Sequence, residues 1–175
     1  MKKHSKTVIL LLMSFWLLSG VTAQSSALAQ IRSNALEIDA PDFVLNDLKG
    51  RKFKLSDYKG KPVLIIFSTT WCAYCRSEIP HFKSIYSTYG PKGLVVINID
   101  IEESKEKVAR FAARYQLPYR VLLDEDGSVS DAYRVMGVPS MTLIDKKGKL
   151  FCLYCRNMEP LLDKLFEETN KPAKK

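Results

Sequence analysis

Unbroken apolar runs at Val63 to Phe67 and Leu94 to Ile99 have the length and composition of strands buried on both faces. Between them Ile79, Phe82, Ile85, Tyr86 and Tyr89 recur at spacings of three and four, which predicts a helix from Cys75 to Tyr89, kinked at Pro80. The same period in Val108, Phe111, Ala112 and Tyr115 predicts a second helix behind the second strand. Strand and helix alternating in this order imply parallel pairing with right-handed crossovers, an α/β fold. A hairpin is expected on either side of this unit. Phe43-Val44-Leu45 and Lys52-Phe53-Lys54-Leu55 flank the turn Asp47-Leu48-Lys49-Gly50, and Met141 to Ile144 and Lys149 to Tyr154 flank a turn at Gly148. Ser56 is placed to cap a short turn that Gly60 ends. Arg120 to Leu123 reads as a short strand and Ser128 to Tyr133 as a short helix. Leu161, Leu162, Leu165 and Phe166 mark a last helix entered through Pro160. One domain over 30–170 is the expectation, with Val63 to Phe67 in its centre.

The first residues follow another logic. Lys2, Lys3, His4 and Lys6 precede an apolar run from Val8 to Leu18 broken only by Ser14, and small residues follow at Val21-Thr22-Ala23 and Ala27-Leu28-Ala29. This is a secretory signal layout over 1–29, with cleavage before Gln24 or before Gln30. The alternative is an uncleaved N-terminal membrane anchor, although Val8 to Ala23 is 16 residues where about 20 span a bilayer. Val21 stands where a lipoprotein signal needs cysteine, so no lipid anchor is expected. Either reading places the domain outside the cytoplasm, periplasmic or tethered and facing outward.

Export changes the charge picture. The 175 residues carry a formal +8, of which three charges belong to 1–29 and three more to Lys171, Lys174 and Lys175 in a tail, 171–175, that reads as basic and disordered. The body is therefore only mildly basic. No stripe of arginine interleaved with aromatics appears, so no nucleic-acid partner is expected. With 46% hydrophobic and 26% charged residues, disorder and a multi-span membrane protein are excluded.

Four cysteines fall into two pairs of identical spacing, Cys72/Cys75 and Cys152/Cys155. The first pair follows a buried strand and opens a helix. A helix N-terminus supplies partial positive charge and free N–H groups that favour a thiolate. Cys72, nearer the exposed end, is the expected nucleophile; Cys75, buried one turn on, resolves the mixed disulfide. A structural bridge here would close too small a loop to stabilise much. A zinc site would need two further ligands at ribbon spacing, whereas 76 residues separate Cys75 from Cys152, and haem attachment would need His where Arg76 and Arg156 stand. No metal and no flavin or nicotinamide cofactor is expected.

Ala40-Pro41-Asp42-Phe43, Leu48-Lys49-Gly50, Leu55 to Lys61, Trp71-Cys72-x-x-Cys75, Glu78-x-Pro80 and Gly137-Val138-Pro139 with Thr142-Leu143-Ile144-Asp145 occur in the order seen in one family. Over roughly 40–150 the chain resembles the TlpA/ResA class of thioredoxin-like extracytoplasmic thiol-disulfide oxidoreductases. The resemblance implies a thioredoxin fold, a central mixed sheet flanked by helices, with an added N-terminal β-hairpin. It implies a cis Pro139 beside Cys72, with Trp71, Val138 and Pro139 receiving an extended substrate; read from the residues alone, Pro139 is equally an ordinary trans loop proline. Glu78 lies one turn past Cys75 on the same helix face, and the resemblance places an acidic residue there near the thiols, where it would take up and return the Cys75 proton; the lesser alternative is a solvated helix glutamate. Ile66 occupies the position of classical thioredoxin's buried aspartate. The implied partners are disulfide-containing exported proteins, apocytochrome c among them, and a membrane thiol-disulfide electron donor. Ser68, Ser140 and Ala73-Tyr74 depart from the family pattern, so its redox potential does not carry over.

Cys152 and Cys155 lie outside that pattern. Three residues of extended chain span about 10 Å, whereas disulfide-linked Cα atoms lie within about 7 Å, so the pair bridges only if the chain turns. The readings are a local disulfide shaping the groove rim, a redox relay exchanging with Cys72 and Cys75, and free thiols or metal ligands. Two other functions compete with thiol-disulfide exchange. A peroxiredoxin-like thiol peroxidase shares Ala40-Pro41-Asp42-Phe43 and Thr69-x-x-Cys72. A copper metallochaperone of similar fold would want a distal histidine, but His81, the only histidine beyond 1–29, reads as an ordinary surface residue.

Overall fold

The computed structural model describes residues 38–170, so the expected signal or anchor over 1–29, the first residues of the expected domain and the expected tail over 171–175 lie outside the described residues. Seven strands form one sheet in the order β2-β1-β5-β4-β3-β6-β7. They are β1 (Val44–Asp47), β2 (Lys52–Lys54), β3 (Val63–Ser68), β4 (Val95–Ile101), β5 (Arg120–Asp124), β6 (Ser140–Ile144) and β7 (Leu150–Cys152). Strands β3, β4 and β5 run parallel, and β6 joins β3 antiparallel. The helices are α1 (Ala73–Tyr89), α2 (Lys105–Tyr115), α3 (Ser128–Ala132) and α4 (Met158–Asn170). Every residue of β3 is buried, as its unbroken apolar sequence requires. Among the described residues no helix is long and apolar enough to cross a membrane.

Strand alternation builds two cores. Val63, Ile65, Phe67, Ile97 and Ile99 pack on one face with Phe43, Phe53 and α3's Val129. Leu64, Ile66 and Val96 point the other way, against Phe82 and Ile85 of α1 and Leu162 and Leu165 of α4. The hairpin β1-β2 attaches to the sheet through β5. Asp47 ends β1 and organises its turn: Oδ1 accepts the N–H groups of Lys49 and Arg51, both at 2.9 Å, and Gly50 supplies the positive φ of 75°.

Several element ends differ from expectation, and four of the differences have a local cause. Ser56 lies inside a 3-10 turn, Leu55–Tyr58, and makes no cap; Asp42 Oδ1 accepts the Ser56 N–H at 2.9 Å instead. Helix α1 begins at Ala73 because Cys72 is itself the N-cap, and it runs on through Pro80. Strand β7 stops at Cys152 rather than Tyr154, since pairing with β6 shifts register at Leu143/Ile144 and Tyr154 turns the chain with φ 52°. Helix α4 starts at Met158, two residues before Pro160, which sits in the first turn where its missing N–H has no helical partner to lose.

Candidate active site

Strand β3 delivers the first cysteine pair. After Ser68 the chain turns at Thr69 to Trp71, with the Cys72 N–H donating to Thr69 O at 3.3 Å, and α1 begins. Cys72 Sγ accepts the Cys75 N–H at 3.0 Å, so the sulfur occupies the place an N-cap oxygen usually fills. The two cysteines are bridged, with Cα atoms 5.3 Å apart. Their burial corrects the expected contrast: Cys72 is 6% exposed and Cys75 3%, so both sit low. The exposed groups are their neighbours, Trp71 at 67% and Tyr74 at 65%.

Pairing of β6 with β3, Ser140 opposite Phe67, brings the residues before β6 to the same end of the sheet. The Val138–Pro139 peptide is cis, and the Val138 carbonyl oxygen lies 3.6 Å from Cys72 Sγ. From Pro139 a groove of about 730 Å³ runs between α1 and the turn before α4, with Tyr74, Glu78, Met141, Tyr154 and Arg156 among its walls.

Glu78 reaches this groove, but its hydrogen-bond partner is not a cysteine. Its Oε2 meets His81 Nδ1 at 3.2 Å, and His81 Nε2 meets Glu159 Oε1 at 2.7 Å. His81 is therefore no ordinary surface residue; it clamps α1 to the first turn of α4. Burial alone would lower its pKa, but the two carboxylates outweigh burial and raise it. The sequence signal for this clamp was only the i, i+3 spacing of Glu78 and His81; Glu159 is 78 positions away.

The second pair stands at the far rim. Cys152 ends β7, Tyr154 reverses the chain, and Cys152 and Cys155 are bridged with Cα atoms 5.7 Å apart. The Cys155 N–H donates to Met141 O at 2.9 Å, so the turn continues the edge of β6 where β7 has stopped. Among the described residues no cluster of three or more His, Cys, Asp or Glu side chains is placed to hold a metal ion.

A third group at this pole escaped sequence reading. Thr70, two residues before Cys72, donates its N–H and hydroxyl to Glu103 at 2.5 and 2.8 Å, and the adjacent Asp100 is 2% exposed. The polar residues Asn98 and Asp100, alternating near the end of an apolar strand, were the only available hint.

Residues 37–152 match the AhpC/TSA family. The chain is 38% identical over 154 residues to the thiol-disulfide oxidoreductase ResA of Geobacillus thermodenitrificans, covering 86% of this chain and 87% of the relative. It is 37% identical over 131 residues to ResA of Bacillus subtilis, covering 75% and 73%. Among solved structures, a Chlorobium tepidum protein provisionally assigned as thiol:disulfide interchange protein DsbE superposes with TM-score 0.70 at 28% identity, covering 75% of this chain and 97% of that one. The thioredoxin domain of a Bacteroides vulgatus thiol-disulfide oxidoreductase gives 0.67 at 26% identity, covering 77% and 98%.

Proposed function

The chain belongs to the AhpC/TSA family and, within it, to the ResA-like thiol-disulfide oxidoreductases, and from that premise we propose that Cys72 and Cys75 reduce disulfides of exported proteins. The observation that carries this assignment is Cys72 at the N-cap of α1, its sulfur receiving the Cys75 N–H at 3.0 Å. That N–H and the helix N-terminus stabilise negative charge on sulfur, which the attacking thiolate needs. The Cys72 thiolate attacks one sulfur of a substrate disulfide, and the other leaves as a thiolate that takes up a proton. Cys75, losing its own proton, then attacks Cys72 Sγ and releases the second substrate thiol. Two electrons have passed to the substrate and the Cys72–Cys75 bridge remains, so an external dithiol must recharge the protein.

The substrate's extended chain lies along the groove against Tyr74 and Pro139, and meets Val138 and the exposed Trp71 beside Cys72. Glu78, on the wall of the same groove, is the proton acceptor proposed for Cys75. Cytochrome c maturation, with apocytochrome c as substrate and a membrane thiol-disulfide donor, is the physiological setting proposed on the family resemblance. The layout of residues 1–29 supports export, as a cleaved signal or a tether, and a periplasmic or outward-facing domain over 30–170.

For Cys152 and Cys155 the rim reading is favoured over the relay. Cys155 is anchored at Met141, three residues along from the Val138 carbonyl that touches Cys72. Each pair is closed on itself, Cys72 to Cys75 and Cys152 to Cys155, and no bridge joins one pair to the other.

The rival is a peroxidase, because the AhpC/TSA match and Thr69-x-x-Cys72 admit one. Reduced protein is offered insulin and hydrogen peroxide in parallel assays with dithiothreitol. Insulin reduction well above the dithiothreitol background, with peroxide consumed no faster than by a free thiol, is expected. The reverse pattern would replace this reading with the peroxidase.

A further inference from the structure

A buried acidic pair lies beneath the catalytic loop. Along β4, Val96 points to the face covered by α1, so Asn98 and Asp100 share that face while Ile97 and Ile99 join the opposite core. Asp100 stands between Ser68 of β3 and Leu123 of β5 in register. It is 2% exposed, and its Oδ1 has no hydrogen-bond partner. Glu103, itself 9% exposed, accepts the Thr70 N–H and hydroxyl and also pairs with Lys107 of α2.

The two carboxyls have opposite leanings. Burial and the neighbouring Glu103 push Asp100 up to about 8. Burial alone would raise Glu103, but hydrogen bonds from Lys107 and Thr70 outweigh it and hold this carboxyl below its ordinary value. At neutral pH the pair therefore keeps one proton, on Asp100, and one negative charge, on Glu103. The charged residues that line the adjoining cleft, Arg76, Lys107, Arg110 and Arg114, are cationic, and α2 carries the acidic Glu106 in its first turn. Arg76 of α1 donates to Thr70 O at 3.1 Å, and Arg110 and Arg114 of α2 line the same cleft of about 560 Å³, while β5 offers Asp100 only the apolar Leu123.

Thr70 links this pair to the chemistry. Glu103 grips it from below through two hydrogen bonds, Arg76 grips its carbonyl, and Cys72 follows two residues later. We propose that Asp100 is a positioning residue for thiol-disulfide exchange: its proton limits the charge beneath the catalytic loop to that of Glu103, and losing it opposes formation of the Cys72 thiolate. This rests on the reading of Cys72 as the attacking thiol. Coupling of this kind is reciprocal, so a thiolate at Cys72 makes Asp100 hold its proton to higher pH.

The test follows the carboxyl directly. In the full-length oxidised protein, the infrared band of a protonated carboxyl is expected to persist at neutral pH and vanish with a midpoint near 8. In the reduced protein that midpoint moves upward, and Asp100→Asn removes the band. In parallel, the rate of Cys72 alkylation by iodoacetamide against pH is expected to show two steps in the unmodified sequence and one in Asp100→Asn. Loss of the carboxyl band by pH 5, or one midpoint in both redox states, overturns the proposal. So does a rate profile that Asp100→Asn leaves unchanged. The infrared arm uses the unmodified sequence, so it decides even if the variant does not fold. It also separates the two readings: a band that titrates near 8 with an active Cys72→Ser removes the catalytic assignment and with it the coupling to exchange, whereas a band lost by pH 5 with an inactive Cys72→Ser removes this proposal alone.

Discussion

Cys72→Ser is expected to abolish disulfide exchange, lowering the rate of insulin reduction by about a thousandfold or more. The reason is chemical rather than structural. Sulfur can carry negative charge near neutral pH and a serine hydroxyl cannot, so the N–H array at the start of α1 would have no anion to stabilise. Serine is also among the best N-cap residues, and its oxygen can accept the N–H that Cys72 Sγ now receives from Cys75. The reduced variant should therefore unfold within a few degrees of the reduced parent. A variant that melts normally and cannot exchange disulfides separates catalysis from folding. Retained activity would move the chemistry to another cysteine, and Cys152 and Cys155 would be the candidates.

The largest loss of stability is expected far from the cysteines, at Asp47→Ala. Asp47 is 3% exposed, and its carboxylate accepts the N–H groups of Lys49 and Arg51 and the Nε atoms of Arg51, at 2.9 Å, and Arg120, at 3.0 Å. Burial alone would raise its pKa, but these donors hold it below its ordinary value of 3.8. Alanine would leave two turn N–H groups without their acceptor and a half-buried Arg120 without its counter-charge. A cost of about 3 kcal/mol follows, lowering the melting temperature by about 10 °C. Asp47→Asn, which keeps an acceptor for the turn, should lose clearly less. Because the folded-state pKa is depressed, the contribution is present above 3.8 and fades as pH falls through the lower folded value. Denaturant titrations at neutral pH and near pH 3 check both statements; a loss under 1 kcal/mol would mean that the hairpin is held by its apolar contacts instead.

The strands and helices were legible where sequence pattern and burial coincide. β3 is apolar throughout because it is buried on both faces, and α1 shows its period because only one face meets the sheet. The cysteine pair was legible because strand, turn and helix are consecutive, so local sequence carries the whole motif. Boundaries set by single interactions were not. Nothing in the run of residues says that Asp42, rather than Ser56, serves the turn at Leu55–Tyr58, or that Tyr154 takes a positive φ and ends β7 early. The remainder of the site was hidden for another reason. His81 with Glu159, and Thr70 with Glu103, join residues 78 and 33 positions apart, and such pairs depend on the completed packing of α1 against α4 and of β3 against β4. Asp100 shows the limit well: a charged residue closing an apolar strand looks like the strand's end, and only the register beside Ser68 reveals that it is buried.

The central claim is that Cys72 attacks and Cys75 resolves, and trapping the intermediate tests it most directly. Cys75→Ser removes the resolving thiol while leaving Cys72 at the helix cap. Incubated with a disulfide-containing protein and analysed by mass spectrometry without reductant, it is expected to accumulate a mixed disulfide joining Cys72 to one substrate cysteine, which dithiothreitol releases. No adduct, or an adduct carried by Cys152 or Cys155 with Cys72 free, would contradict the account.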